Sequence, residues 1–361
     1  MFYNQKVDFH SHYLSPTYYE YLSKYEGTLP DGFPPPKWSL ESHLSLMEKL
    51  GIAFAFISVS SPNLSKAPKN EEIEMVHKIN LEGAEIVKQA ENKLGLFANL
   101  PLPHTKEAIS EAKFAIEQLK ADGFGLSTHY AGIYLGDEKY DSLMEYLDAI
   151  GAVVAIHPVE PASVPKGVNS ELPIPAMEFL MDTTRTFTNM VMHNIFGRYP
   201  NIKWIFPHAG AFISVLSDRM SGFAMQFRNS MKNPVPLDFK ADMRHVYFDM
   251  AGFPVNKQIH DLLLDVSADN FLYGSDAPYT PNAACIAQTG NLENTSNLNE
   301  DEKNKMFTFN AAKLMPKLNA ILNIKCEGVP VNYGNVALTG KEKFIRGIRT
   351  FISKVYSIIF S

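Results

Sequence analysis

Short runs of apolar residues alternate along the chain with longer segments in which apolar residues recur three and four positions apart. The short runs are rich in β-branched and aromatic residues and end in polar residues, glycine or proline, which is typical of buried β-strands. Eight strands are predicted in this way: Val7–His12, Ala53–Val59, Leu94–Leu100, Phe124–Leu126, Val153–His157, Trp204–His208, Val246–Asp249 and Phe271–Ser275.

The segments between these runs are predicted to be amphipathic helices. The clearest of them are Glu71–Asn92, Lys106–Lys120, Asp141–Ile150, Met177–Phe196 and Asn256–Leu264. Strand and helix alternating eight times predict a (β/α)₈ TIM barrel, a fold of the α/β class. An open, doubly wound sheet is the alternative, but no glycine-rich phosphate-binding motif follows the first strand.

Two regions fall outside this alternation. Residues Tyr13–Ser39 include Pro30 and the run Pro34–Pro36, and predict a long loop after the first strand. We expect a barrel domain over residues 1–318 and a tail over residues 319–361. The tail contains an amphipathic segment, Phe344–Phe360, which we expect to pack on its own barrel or on a second subunit.

The composition excludes several classes of protein. Hydrophobic residues make up 45% of the chain and charged residues 20%, which is enough apolar material for one large core. The net charge of −6 argues against a nucleic-acid partner, because phosphate binding needs clustered cations. Two cysteines, Cys285 and Cys326, are too few for a disulfide framework. No apolar stretch is long enough to span a membrane and no signal peptide is visible, so we expect a cytoplasmic location.

Potential metal ligands stand at the ends of four predicted strands. They are His10 and His12 on the first strand, His157 on the fifth, His208 on the sixth and Asp276 after the eighth. The two-residue period of a strand places His10 and His12 on the same side, and barrel active sites form at the carboxyl ends of the strands. Three or four imidazoles with one carboxylate suit Zn²⁺ or another first-row divalent ion. Nothing in the chain predicts an organic cofactor.

The same residues carry a family resemblance. Asp8–His12 reads D-F-H-S-H, Ala155–Pro158 reads A-I-H-P, Pro207–Ala211 reads P-H-A-G-A, and Tyr273–Pro278 reads Y-G-S-D-A-P. In this order the motifs resemble the amidohydrolase superfamily over residues 6–317. They are most similar to its decarboxylase branch, which includes aminocarboxymuconate semialdehyde decarboxylase and γ-resorcylate decarboxylase. Two further segments, Ser127–Gly132 and Met181–Arg185, resemble the aromatic-acid decarboxylases of that branch.

The resemblance implies a role for each of these residues. His10, His12, His157 and Asp276 would be the metal ligands, and His208 would be a catalytic histidine beside the metal. Arg219 would bind a substrate carboxylate, and in the family this arginine can reach the neighbouring subunit's site, which predicts a homodimer.

Two departures from the family pattern narrow these expectations. Members with two metals carry a bridging lysine after the fourth strand, where this chain has Gly125–Thr128, so we expect one ion, Zn²⁺ first and Mn²⁺ second. Muconate-type members also use an arginine before the second strand, and Lys37–His43 contains none. A small aromatic monocarboxylate is therefore the expected substrate.

Two reactions fit this set of residues. In a decarboxylation, Asp276 would deliver a proton to the ring carbon while His208 orients the substrate, and Tyr130, Phe253 and Tyr279 would form aromatic walls. In the alternative, hydrolysis of a lactone or amide, Asp276 would take a proton from a metal-activated water and His208 would stabilise the oxyanion. A barrel kept only for binding is disfavoured, because all the proposed ligands are present.

Overall fold

The computed structural model describes residues 5–168, 171–227 and 238–324. Eight parallel strands, each paired with the next in chain order, form its central sheet. Parallel bridges Asp8–Tyr273 and Ser11–Ala277 join the first strand to the segment after the last, so the sheet closes into a (β/α)₈ TIM barrel. The strands are β1 Lys6–His12, β2 Ile52–Ser58, β3 Leu94–Asn99, β4 Gly123–Ser127, β5 Val153–His157, β6 Lys203–Phe206, β7 Tyr247–Asp249 and β8 Phe271–Leu272.

Helices surround the barrel on its outer face. They are α1 Pro16–Tyr21, α2 Leu40–Leu50, α3 Lys69–Gln89, α4 Thr105–Glu117, α5 Asp141–Ala149, α6 Glu178–Met192, α7 Ile195–Arg198, α8 Ile213–Phe227, α9 Phe239–Met243, α10 Lys257–Leu263, α11 Asn282–Asn294, α12 Glu300–Asn304, α13 Asn310–Leu314 and α14 Leu318–Ile321. A short antiparallel hairpin, His129–Tyr130 with Ile133–Tyr134, follows β4.

The barrel interior is packed with aromatic rings and closed at its amino-terminal end. Phe56 stacks on Phe97 with ring centroids 4.8 Å apart, and Phe9 lies 4.6 Å from Phe56. Leu318 of α14 and Leu322 belong to the same buried cluster. Because this end is filled, an open site can form only at the opposite end, where the strands finish.

The structure corrects three details of the predicted elements. The region Tyr13–Ser39 is not all loop: α1 begins after Ser15, whose side chain accepts a hydrogen bond from the Tyr18 amide, and a π-helical turn, Leu22–Glu26, follows. The helix predicted over Met177–Phe196 is divided, because Asn194 adopts a left-handed conformation (φ 53°). Strand β6 ends at Phe206, since Pro207 has no amide hydrogen to continue the ladder.

Other sequence predictions concern the tail, the membrane and the location. The amphipathic segment Phe344–Phe360 and Cys326 lie outside the described residues, and the role of the tail stays a prediction. No helix among the described residues has the length and apolar character that crossing a bilayer requires. The cytoplasmic location stays a prediction.

Candidate active site

Strand β1 places two histidines at the carboxyl end of the barrel. His10 and His12 are buried there, and the carboxylate of Asp8 accepts hydrogen bonds from the amides of His10 (3.0 Å) and Ser275 (3.1 Å). Asp8 thereby ties the end of β1 to the loop that carries Asp276. Burial raises the pKa of Asp8 to about 7.

Four potential ligand atoms converge at this end of the barrel. They belong to His10, His12, His157 and Asp276, and all lie within 4.8 Å of one another. Asp276 Oδ1 lies 3.4 Å from His10 Nε2 and 3.4 Å from His12 Nε2. The structure therefore brings together three imidazoles and one carboxylate, the combination that the strand ends predict.

Each histidine uses its Nδ1 atom in a hydrogen bond to the protein. His10 Nδ1–H donates to Asp249 Oδ2 (2.9 Å), His12 Nδ1–H to the Ser58 carbonyl (3.3 Å), and His157 Nδ1–H to the Pro158 carbonyl (2.7 Å). These bonds leave Nε2 as the atom that each ring can offer to a metal, which is the arrangement of histidines that bind metals.

Two buried ring nitrogens without partners indicate whether a cation fits the ligand cluster. Nε2 of His10 and Nε2 of His12 are buried and have no hydrogen-bond partner among the described residues. Buried polar atoms without partners are rare in proteins, and two of them facing one carboxylate oxygen are the donor set of a first-row divalent ion. The residues present therefore fit a divalent metal, with one position contributed by each of the four side chains.

The electrostatics favour a positive charge at the same point. Burial disfavours the charged form of His10, but Asp249 and Asp276 outweigh it and hold the pKa of His10 well above its ordinary value. Burial opposes ionisation of Asp276 as well, yet the neighbouring imidazoles of His10 and His12 hold the pKa of that carboxyl well below its usual range. Burial lowers the pKa of His157 well below its ordinary value, which keeps this ring neutral and able to act as a ligand.

His208 stands beside the ligand cluster but outside it. It follows β6 in a tight turn with φ 55°, and its ring centroid lies 5.0 Å from that of His10. Its amide donates to Asp249 Oδ1 (3.1 Å), whereas its Nδ1 is buried without a hydrogen-bond partner in the described chain. Burial lowers the pKa of His208 to about 4, so the ring is neutral at physiological pH.

Two glycines make room for these histidines. A Cβ atom on Gly274 would lie 2.7 Å from His10 Cβ, and one on Gly252 would lie 2.8 Å from His208 Cδ2. Gly252 also has φ +77°, a conformation that favours glycine. The close packing at both positions limits how far the two imidazole rings can move.

A cavity of about 360 Å³ opens next to the ligand cluster. Its polar lining comes from Asp31, Ser60, Ser61, His157, His208, Asp276 and Thr280, and its apolar lining includes Phe33, Phe179, Leu180, Phe253 and Tyr279. Of the four residues predicted to bind substrate, Phe253 and Tyr279 lie here. Phe253 is 52% exposed, which places it at the mouth of the cavity.

The other two predicted substrate-binding residues lie elsewhere. Tyr130 is buried in a neighbouring pocket that His10, His12 and His157 also line, and its hydroxyl oxygen accepts a hydrogen bond from the Ser127 amide (2.9 Å). Arg219 is exposed on α8, where its guanidinium lies 4.8 Å from the centre of the Phe223 ring. The structure thus does not bring Arg219 into the cavity of its own chain.

Several residues of the site were missed by sequence reasoning. Asp249 bonds both His10 and the His208 backbone, and its place at the end of the seventh strand is a signal that could have identified it. Ser60 Oγ lies 3.2 Å from His157 Nε2, and no sequence pattern marks it. Asp31 belongs to a segment that was predicted only as loop, so nothing in the sequence placed it at the cavity.

The two segments that resemble aromatic-acid decarboxylases meet each other in space. The Thr186 hydroxyl, next to Met181–Arg185, donates to the Thr128 carbonyl (3.3 Å). Thr184 Oγ1 accepts a hydrogen bond from the Phe212 amide (3.2 Å), which fastens α6 to the loop after His208. These segments support the loops that frame the cavity.

Comparison with known proteins identifies the family. The amidohydrolase family model matches residues 7–317, and the chain belongs to this family. Among curated relatives, decarboxylase yanB of Aspergillus niger is 30% identical, with 91% of this chain and 92% of the relative covered. The 6-methylsalicylic acid decarboxylase of Penicillium expansum is 28% identical over 88% of this chain and 98% of its own. The chain is accordingly an enzyme of the carboxy-lyase type within the amidohydrolases.

Solved structures agree with this placement. The crystal structure of an amidohydrolase II is 37% identical, covers 86% of this chain and all of its own, and superimposes with a TM-score of 0.82. A dihydroxybenzoic acid decarboxylase from Polaromonas, determined with manganese and the inhibitor 2-nitroresorcinol, is 19% identical with a TM-score of 0.71 over 90% of this chain and 99% of its own. At that identity the second likeness establishes the shared fold.

Proposed function

We propose that this enzyme decarboxylates a small hydroxyaromatic carboxylic acid and uses one divalent metal ion held by His10, His12, His157 and Asp276. The observation that carries the proposal is the position of the ligand cluster in the wall of an aromatic-lined cavity of about 360 Å³. Curated relatives that act on aromatic acids, and a structural neighbour determined with manganese, support the same reaction class.

The metal is expected to be a single ion, Zn²⁺ first and Mn²⁺ second. Three imidazole nitrogens with one carboxylate oxygen suit either ion, and Gly125–Thr128 offers no lysine to bridge a second one. When bound, a divalent ion supplies a Lewis acid for the substrate carboxylate and the neighbouring phenolic oxygen.

The reaction breaks the bond between the ring and the carboxylate carbon, releases CO₂, and places a proton on the ring carbon. We assign the transfer of that proton to Asp276, which lines the cavity. Its carboxyl is ionised at rest, because the neighbouring imidazoles of His10 and His12 outweigh burial and keep its pKa low. A substrate carboxylate arriving beside it adds a second negative charge, which raises that pKa and favours uptake of a proton from water, and Asp276 then passes this proton to the ring carbon as CO₂ leaves.

His208 is assigned to orienting the substrate. It lines the cavity, its ring is neutral because burial lowers its pKa to about 4, and its Nδ1 is free to form a hydrogen bond. Gln258 donates to the His208 carbonyl (3.0 Å), so the turn that carries the ring is held from both sides. A neutral imidazole fixed in this way positions a polar group of the substrate without adding charge.

The walls of the cavity favour loss of charge from the substrate. Phe179, Phe253 and Tyr279 present aromatic surface to the space beside Asp276. An apolar environment stabilises neutral CO₂ relative to a carboxylate, because the carboxylate loses its hydration there. We assign Phe253 and Tyr279 to substrate binding directly, and Tyr130 to support of the β4 end through its bond with the Ser127 amide.

Arg219 is assigned to the site of a second subunit. Together with Val215 and Phe223, four positions before and after it, Arg219 forms one exposed stripe along α8. Exposed apolar side chains in a row are typical of an interface. We infer a homodimer in which this stripe meets the partner, so that the guanidinium binds the substrate carboxylate in the partner's cavity.

A substrate panel tests the proposed reaction. Metal-loaded enzyme is incubated with hydroxybenzoates and, in parallel, with lactones and aryl amides, and the release of CO₂ and of the phenol is followed by gas analysis and chromatography. CO₂ and the matching phenol are expected from at least one hydroxybenzoate. Ring opening of a lactone without any CO₂ release would replace the proposal by the hydrolase.

A further inference from the structure

The active-site cavity has a second set of polar side chains besides the proposed metal ligands. Asp31, Ser61 and Tyr279 contribute to it. Asp31 also lines an adjoining cavity of about 460 Å³, whose lining residues among those described include none of the four proposed metal ligands. Asp31 therefore lies on the side of the active-site cavity that is turned from the ligand cluster.

The backbone holds Asp31 firmly at this position. It is the middle residue of the turn Pro30–Gly32, closed by a hydrogen bond from the Gly32 amide to the Leu29 carbonyl (3.1 Å). Its φ of 57° is unusual for a residue other than glycine. A Cβ on Gly32 would lie 3.1 Å from Pro173 Cα, so the turn is packed against the segment before α6. Strained backbone of this kind persists where the surroundings determine it, often at ligand sites.

Two hydroxyl groups of this set lack hydrogen-bond partners among the residues that the structure describes. Tyr279 Oη and Ser61 Oγ are buried and have no hydrogen bond among the described residues. Asp31 forms no ion pair with the described residues, since the nearby Lys66 is bonded to Glu26 (2.6 Å), and the neighbouring hydroxyl that lowers its pKa is that of Ser61. Burial raises the pKa of Asp31 to about 7, because desolvation outweighs the Ser61 hydroxyl and the charge of Lys66. Buried polar groups are ordinarily satisfied, so a ligand is the natural source of the missing bonds.

We propose that Asp31, Tyr279 and Ser61 form a subsite for a second hydroxyl group on the aromatic ring of the substrate. This inference rests on the proposed decarboxylation. A ring hydroxyl can donate to the Asp31 carboxylate and accept from the Tyr279 or Ser61 hydroxyl, whereas a methyl group offers none of the three a hydrogen bond. A second carboxylate is disfavoured, because Asp31 and Asp276 would both repel it. Asp31 is then a specificity-determining residue.

The test compares substrates with and without the second hydroxyl. We compare kcat/KM for the 2,3-, 2,4-, 2,5- and 2,6-dihydroxybenzoates with kcat/KM for 2-hydroxybenzoate and express each comparison as a ratio. The ratios are measured in the wild type and in the variants Asp31→Leu, Asp31→Asn and Glu160→Gln. We expect at least one ratio of about 10 or more in the wild type, since a site built for a hydroxyl discriminates against its absence. Asp31→Leu should lower that ratio about tenfold or more, and Asp31→Asn, which keeps an acceptor oxygen, should retain most of it.

A matched control isolates the role of the hydrogen bond. Glu160 is an exposed carboxylate that lines only the adjoining cavity, so Glu160→Gln changes the local charge and should leave the ratio unaltered. Circular dichroism and metal content show whether each variant is folded and loaded. A wild-type enzyme without preference for any dihydroxy acid, or a preference that survives Asp31→Leu, overturns the subsite.

Equilibrium binding separates this inference from the proposed reaction. Resorcinol and catechol, titrated by calorimetry beside phenol, carry the second hydroxyl but need no catalysis. In one outcome no acid releases CO₂, but the diphenols bind about tenfold more tightly than phenol and lose this difference in affinity in Asp31→Leu. The proposed reaction is then wrong, and the proposed subsite is supported. If CO₂ is released but the diphenols gain nothing over phenol, the subsite is wrong and the reaction stands.

Discussion

Asp249 Oδ2 accepts a hydrogen bond from His10 Nδ1–H over 2.9 Å, and both side chains are buried. The other oxygen of the same carboxylate accepts from the amides of His208 and Ala251, each at 3.1 Å. One side chain on β7 thus fixes the orientation of a proposed ligand on β1 and the backbone of a second histidine after β6. Carboxylates in this position also increase the basicity of a metal-bound imidazole.

Asp249→Asn should weaken metal binding. The new amide nitrogen must face either His10 Nδ1–H or the two backbone N–H groups, and both are donors, so at least one hydrogen bond is lost. We expect metal affinity and activity to fall about 10–100-fold, which competition with a chromophoric chelator measures. Asp269→Asn, on a half-exposed carboxylate paired with Lys305, is the control and should bind metal normally. Unchanged affinity in Asp249→Asn would mean that the carboxylate does not act on His10.

The proposed ligands predict the stoichiometry of the metal. Elemental analysis of the purified enzyme should find one divalent ion per chain, and removal of that ion by a chelator should abolish activity until Zn²⁺ or Mn²⁺ is returned. His157→Ala should lose metal and activity together, because one of four ligands is missing. His193→Ala, on an exposed histidine of the outer surface, should retain both. Two ions per chain would contradict the single-metal site.

His208→Ala should separate metal binding from turnover. His208 is outside the cluster of ligand atoms but lines the cavity, so the variant should keep its ion while kcat falls about 10²–10⁴-fold. Metal content and steady-state kinetics are measured on the same preparation, with His157→Ala as the reference for a lost ligand. If His208→Ala loses its metal as well, this histidine belongs to the coordination shell.

His43 makes the stability of the fold depend on pH. Burial lowers its pKa to about 4, and its Nδ1 accepts the indole N–H of Trp38 (3.3 Å). The ordinary pKa of histidine is 6.5, so between pH 6.5 and pH 4 this side chain is protonated in the unfolded chain but stays neutral in the folded chain. The contribution of neutral His43 to the free energy of unfolding is therefore complete above pH 6.5 and is lost as the pH falls towards 4.

Urea unfolding measures this effect. Between pH 6.5 and pH 5 the free energy of unfolding of the wild type should fall by about 1.5 kcal/mol more than that of His43→Gln, which keeps an acceptor for Trp38. The exposed His193→Gln serves as control and should follow the wild type. Parallel curves for the wild type and His43→Gln would show that His43 is not the group that titrates.

Arg219 should act in the neighbouring subunit. His157→Ala and Arg219→Ala are each expected to be inactive, but in a mixed dimer one site carries both defects and the other carries neither. Random exchange should restore about a quarter of the wild-type activity, because half of the dimers are mixed and each has one intact site. A mixture of His157→Ala with His10→Ala is the control and should stay inactive, since each site takes all its ligands from one chain. No recovery after proven exchange would remove Arg219 from the partner's site.

The sequence by itself determined the barrel and which potential ligands meet at its rim. Eight apolar runs alternating with helical segments leave few other folds, because each strand and helix must bury one face against the next. His10 and His12 share a face by the period of the strand, and His157 and Asp276 follow from their places after other strands. In a parallel barrel all carboxyl ends meet at one rim, so position along the chain was enough to bring these residues together.

The tertiary structure decided what surrounds those ligands. Asp249 bonds His10 across 239 residues of chain, and this pairing follows from strand order and register, which local pattern does not encode. Asp31 reaches the cavity only because Gly32 packs against Pro173, a contact between two loops. Arg219 and Tyr130 are chemically suited to bind substrate, yet Arg219 is exposed on α8, and the Ser127 amide holds Tyr130 in the neighbouring pocket. Local periodicity determines which elements form and where their ends lie, whereas side-chain partners over long distances depend on how those elements pack.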